Sequence, residues 1–75
     1  MGSKYPILTP NEILRALSKL GFQKVAQKGS HAKYKTDTVP VKTFIIPMHS
    51  EIARGTLKSI LDQAGISLDE FLDLL

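Results

Sequence analysis

The run Lys28-Gly29-Ser30-His31-Ala32-Lys33-Tyr34-Lys35 sets one imidazole among three lysines, none more than four residues away. Imidazole titrates closest to neutrality of the ordinary side chains, so it can take a proton from a hydroxyl and later return one. Two ammonium groups beside it oppose a further positive charge and favour the neutral, proton-accepting ring. A ribose-phosphate link needs no more than this set. Its 2′-hydroxyl attacks the adjacent phosphorus once a base removes the proton and cations hold the phosphate, so neither metal nor cofactor is required. His31 is the candidate base, and Lys28, Lys33 and Lys35 are the candidate phosphate contacts. Gly29 lets a backbone approach closely, and Ser30 can hydrogen-bond the phosphate or orient the ring. Because most exposed histidines have no catalytic role, these residues alone leave a second reading open, a basic strand that binds RNA without cutting it.

What positions this run is an alternating strand. His31, Lys33 and Lys35 point to one face and Ala32, Tyr34 and Thr36 to the other. Burying lysines is expensive, so the His31 face is expected to be open and the Ala32 face covered. Around it, residues 22 to 47 read as three strands, at 22 to 28, 31 to 36 and 42 to 47, broken by Gly29-Ser30 and by Asp37 to Pro40. The first two form an antiparallel hairpin, because so short a connection cannot cross over. The third, with Thr43-Phe44-Ile45-Ile46 apolar on both sides, is expected to be the best buried, although Pro40 and Pro47 limit its pairing.

Helices flank the strands. Thr9-Pro10-Asn11-Glu12 is a capping box opening a helix over about residues 10 to 20, with Ile13, Leu14, Leu17 and Leu20 as its apolar stripe and Gly21 as its left-handed stop. A second helix is predicted from about 56 to 64, capped by Thr56, striped by Leu57, Ile60, Leu61 and Ala64, and stopped by Gly65. Ser67-Leu68-Asp69-Glu70 repeats the capping box and opens a short helix with Leu68, Phe71, Leu72 and Leu75 along one side. Strands grouped between helices indicate an α+β fold, the helices covering one face of a three-stranded antiparallel sheet.

Bulk properties agree with one small domain, residues 1 to 75. The chain is 43% hydrophobic and 23% charged, the balance of a globular chain rather than a disordered one. With no cysteine it has neither disulfides nor thiolate metal sites, and two histidines are a poor basis for zinc. No apolar run approaches membrane-spanning length, so a cytoplasmic protein with no membrane partner is expected. Met1, Gly2 and Ser3 carry no part of the reading. The net charge of +3 is unevenly placed: Lys24, Lys28, Lys33, Lys35 and Lys42 face Asp37 alone in their segment. Residues 59 to 75 instead hold Asp62, Asp69, Glu70 and Asp73 with no base, so the middle of the chain is the part that attracts polyanions.

Taken together, Gly21-Phe22, Gln27-Lys28-Gly29-Ser30-His31 with Tyr34, Ile46-Pro47-Met48-His49, Gly55-Thr56-Leu57 and Ile60-Leu61-Asp62-Gln63-Ala64-Gly65-Ile66 resemble the HicA (YcfA-like) family over about residues 10 to 72. The resemblance implies a fold like the double-stranded-RNA-binding domain. It also implies a metal-independent endoribonuclease, an mRNA interferase that arrests growth and is neutralised by a HicB-type antitoxin. The family's catalytic histidine lies in its Gly-Ser-His element, here Gly29-Ser30-His31. His49 falls in the Pro-x-His element, where it serves either as a second acid or base or, as the favoured reading, as a structural group bonding the free N–H groups at the next helix start. Two other classes stay open: a non-catalytic RNA-binding module of the same fold, and an interaction protein whose open sheet chiefly docks the antitoxin. A fragment of a larger RNA-processing protein is disfavoured by the capped helices at both ends.

Overall fold

A computed structural model of the protein describes residues 5–75. Helix α1 (Pro10–Ser18) is followed by strands β1 (Gln23–Lys28), β2 (His31–Lys35) and β3 (Thr43–Pro47), then helices α2 (Arg54–Ala64) and α3 (Leu68–Leu74). The sheet is antiparallel in the order β1-β2-β3. This is the α+β arrangement expected, helix, three-stranded sheet, helices.

Both predicted capping boxes form. The Thr9 hydroxyl accepts from the Glu12 N–H at 3.3 Å while the Glu12 carboxylate accepts from the Thr9 N–H at 2.9 Å, and Ser67 with Glu70 repeats the pattern at 3.1 Å in both directions. The Thr9 backbone N–H, followed by its hydroxyl, holds the Glu12 carboxyl below its usual value. Its contribution to the cap is therefore complete above the ordinary carboxylate range and lost as pH falls through the lowered value. Thr9→Ala is expected to cost about 1 kcal/mol in urea unfolding at neutral pH. The difference from the parent should shrink in acid, where Glu12 is protonated.

Helix α1 ends earlier than predicted. It stops at Ser18, the chain winds through single turns to Gly21 at φ +92°, and Leu20, expected on the buried stripe, is left exposed. Helix α2 differs at its start. It begins at Arg54 with Ala53 as N-cap and no capping side chain, so Thr56 lies inside the helix rather than at its cap. A tertiary contact fixes this start instead: Ile52, fully buried, bridges Leu8 through its N–H at 2.8 Å. Gly65 ends α2 at φ +74°, as expected. In α3 the packed residues are Phe71, fully buried, with Leu68 and Leu74 partly so, whereas Leu72 and Leu75 point outward and not into the predicted stripe.

The core lies between the helices and one sheet face. Ile13, Ala16 and Leu17 of α1, Ala32 of β2, Phe44 and Ile46 of β3, Leu57, Ile60, Leu61 and Ala64 of α2, and Phe71 of α3 form one buried cluster with Phe22 and Ile52. Phe44 sits at its centre, edge-on to Phe22 at 4.9 Å and stacked on Tyr34 at 5.4 Å. Thr36, also buried, accepts from the Lys42 N–H at 3.1 Å and shares a hydrogen bond with Thr38 at 2.8 Å, so its hydroxyl is satisfied.

Candidate functional site

The site is built on the face the helices leave uncovered. Register defines it in rows across the three strands: Lys28, His31 and Pro47; then Ala26, Lys33 and Ile45; then Gln23, Lys35 and Thr43. Directly opposed residues share a face, so each row presents its side chains together. His31, Lys33 and Lys35 are all exposed while Ala32 and Thr36 are buried and Tyr34 half-buried, which is the alternation expected of β2.

His31 is held at the end of the hairpin. The turn has two residues, Gly29 with φ +60° and Ser30 with φ negative, the signs of the II′ turn that favours glycine at its first position. Gly29 is thus needed for its backbone conformation. The Ser30 carbonyl accepts from the Met48 N–H at 2.6 Å, which ties the turn to the end of β3. Lys28 closes the hairpin directly across from His31. The imidazole is exposed and hydrogen-bonded to no described residue.

A shallow depression on this face is lined by Ala26, Lys28, His31, Lys33 and Ile45. It brings together three of the predicted site residues and adds two that sequence reasoning missed, Ala26 and Ile45. The third strand is the best buried of the three, as expected, but on one face only. It lies at the sheet edge, and only Phe44 and Ile46 face the core, while Ile45 is 46% exposed. Its outward edge is covered locally: the Ile45 N–H donates to the Gln63 side chain at 3.2 Å. That bond shows that the N–H groups at 43, 45 and 47 point away from β2, so the proline at 47 removes no ladder hydrogen bond.

The five-lysine segment divides by face. Lys28, Lys33 and Lys35 stand on the open side, whereas Lys24 pairs with Tyr34 on the helix side and donates to Gln27 at 2.7 Å. Lys42 lies beside Gly65 at the end of α2, where a cation meets the negative end of the helix. The register shift between Lys24 and Ala26 separates the two groups: Val25 is the extra residue of a bulge, without which Lys24 and Ala26 would share a face.

His49 does not join this depression. It is exposed and borders another with Thr9, Pro10, Asn11, Met48 and Ser50, beside the start of α1. The predicted bond to the free N–H groups of α2 is not made, because His49 lies four residues before the Ala53 N-cap and no side chain caps that helix. Among the described residues no three histidine, cysteine, aspartate or glutamate side chains gather to hold a metal ion, and no helix is long and apolar enough to cross a membrane.

Comparison with known proteins places this geometry in a family. No curated protein matches the chain. The family model described as HicA toxin of bacterial toxin-antitoxin matches residues 10–66, from the first residue of α1 to just past the Gly65 cap, and therefore spans the whole sheet with the His31 turn. The chain belongs to the HicA toxin family.

Proposed function

We propose that this toxin is a metal-independent endoribonuclease that cuts mRNA in the cytoplasm, with His31 as the general base. The observation that carries the reading is the exposed imidazole at the hairpin end, with Lys28 across from it and Lys33 in the same depression. His31 takes the proton of a ribose 2′-hydroxyl. The 2′-oxygen bonds to the adjacent phosphorus as the bond from phosphorus to the 5′-oxygen breaks, leaving a 2′,3′-cyclic phosphate on one fragment. The leaving 5′-oxygen takes up a proton from water and ends the other fragment as a hydroxyl, and the proton on His31 passes to solvent. Lys28, Lys33 and Lys35 hold the phosphates and offset the charge that builds on the equatorial oxygens. The Gly29 turn admits the backbone of the strand, and Ser30 contacts the phosphate or steadies the imidazole. His49 opens elsewhere and takes no part in this step.

The same exposed basic face explains neutralisation by a HicB-type antitoxin. An acidic or aromatic partner surface laid on Lys28, Lys33 and Lys35 would cover His31 at the same time, so inhibition needs no change of shape. The test is digestion of an RNA transcript by the purified toxin with a chelator present. Scission is expected, and binding without scission would replace the enzyme by an RNA-binding module.

The lysines give a separate prediction. Lys33→Ala is expected to weaken RNA binding on all sequences alike and to reduce the slope of log affinity against log salt by about 0.7, the value for one lost contact to a single strand. Titrations at several salt concentrations check it.

A further inference from the structure

The depression that holds His31 is not uniformly polar. Its middle row is Ala26, Lys33 and Ile45, and the two outer members carry no charge and no hydrogen-bonding group. Ile45 and Lys33 face each other at a position where the Ile45 N–H points outward to Gln63, which makes them a non-hydrogen-bonded pair, the closer kind, with Cα atoms about 4.5 Å apart. Lys33 can therefore lay its aliphatic stem along the isoleucine and keep its ammonium at the rim. The result is a floor of Ala26, Ile45 and the Lys33 stem between them, bordered by Lys28 and His31 in the next row. The rows on either side, Lys28-His31-Pro47 and Gln23-Lys35-Thr43, lack an aliphatic residue of that size, so Ile45 is the large apolar residue of these rows.

We infer that this floor receives a nucleobase beside the scissile phosphate, and hence that the toxin selects unpaired RNA. The inference rests on the ribonuclease reading above. The charge of the rim calls for a polyanion, and the floor calls for an apolar surface on that same molecule. Unpaired RNA offers both, because its bases splay out and expose their faces. An A-form duplex keeps those faces stacked inside and offers phosphates and 2′-hydroxyls alone. Spacing agrees. Adjacent rows lie two residues apart along a strand, about 7 Å, on the scale of the span from a nucleotide's phosphate to its base. With a phosphate at His31 and Lys28, its base reaches the Ala26-Ile45 row. An aliphatic floor also has no donors or acceptors with which to read a base edge, so preference among bases at this position should be weak.

The test uses an oligoribonucleotide whose cut position has been mapped with the wild type, then made uncleavable by one 2′-deoxy residue at that position. Affinity is measured for the unpaired strand, for the same strand annealed to its complement, and for a strand with an abasic residue beside the cut. Wild type is expected to prefer the unpaired strand. Ile45→Ser, which removes three side-chain carbons, should bind it about fifteenfold more weakly, the worth of roughly two buried methylenes. Its affinity for the duplex should not change, so the preference narrows. The abasic strand should weaken wild type by a similar factor and leave Ile45→Ser nearly unaffected, and Ile45→Val, one methylene smaller, should lose no more than about fourfold. If wild type cuts RNA but Ile45→Ser binds every strand as wild type does, the base floor is wrong and the ribonuclease reading stands. An equal loss on unpaired and paired strands also overturns the floor, because the residue then supports the strand rather than a base. A wild type that neither binds nor cuts RNA overturns both.

Discussion

His31→Ala is expected to lower the rate of RNA cleavage by about 10²- to 10⁴-fold, the usual contribution of a positioned general base. The loss should appear in kcat, with RNA binding nearly unchanged, because Lys28, Lys33 and Lys35 still hold the phosphates. Folding should be spared. The His31 side chain is exposed and hydrogen-bonded to no described residue, and the backbone bonds that tie the turn come from Ser30 and Met48. The circular dichroism spectrum and the melting temperature of the variant should therefore match the parent, which separates a catalytic loss from a structural one. Cleavage undiminished in His31→Ala would remove the histidine from the mechanism.

Phe44→Ala carries the largest expected effect on stability, a loss of roughly 3–5 kcal/mol. Phe44 is fully buried, takes the edge of Phe22 and stacks on Tyr34, and lies one residue from Ile45 on the strand that borders the site. Removing the ring leaves a cavity and ends both aromatic contacts. Small proteins are stable by about 5–15 kcal/mol in total, and a chain of 75 residues has little core to spare. At about 4–8 °C per kcal/mol the melting temperature should fall by at least roughly 12 °C, measurable by thermal denaturation. Activity lost in this variant would return on cooling to the extent that the fold does, unlike the loss in His31→Ala.

Much of this arrangement is legible in the residues. The two capping boxes announce α1 and α3 because a threonine or serine three residues before a glutamate satisfies free N–H groups locally, whatever the rest of the chain does. The open side of β2 is equally legible, since two lysines alternating with Ala32 and Tyr34 can be reconciled with only one orientation of the strand. What local patterns do not carry is what lies across the sheet. Thr43-Phe44-Ile45-Ile46 reads as buried on both sides, and only the strand order and the uncovered face show that Ile45 looks out. The Val25 bulge is hidden for the same reason, because a β-branched residue suits a regular strand and the shift exists only in the register with β2.

Helix boundaries diverge where tertiary contacts override local chemistry. Thr56 is the better capping residue by type, yet α2 starts at Arg54 because Ile52 is drawn into the core and bridged to Leu8. In α3, Leu72 and Leu75 satisfy a helical spacing as well as Leu74 does, and only the position of the neighbouring helices selects Leu68, Phe71 and Leu74. The candidate site shows both behaviours. His31, Lys28 and Lys33 follow from the sequence run, whereas Ala26 and Ile45 enter through pairing with Lys33, 7 and 12 positions away.

The measurement that reaches the central claim most directly is analysis of the new ends formed when the purified toxin digests RNA with excess chelator. If His31 activates the 2′-hydroxyl, every cut leaves a 2′,3′-cyclic phosphate, or the phosphate it hydrolyses to, facing a 5′-hydroxyl. A single 2′-deoxy residue at the cut position then blocks scission there. Fragments ending in a 3′-hydroxyl, or cleavage that continues through the 2′-deoxy position, would contradict the account.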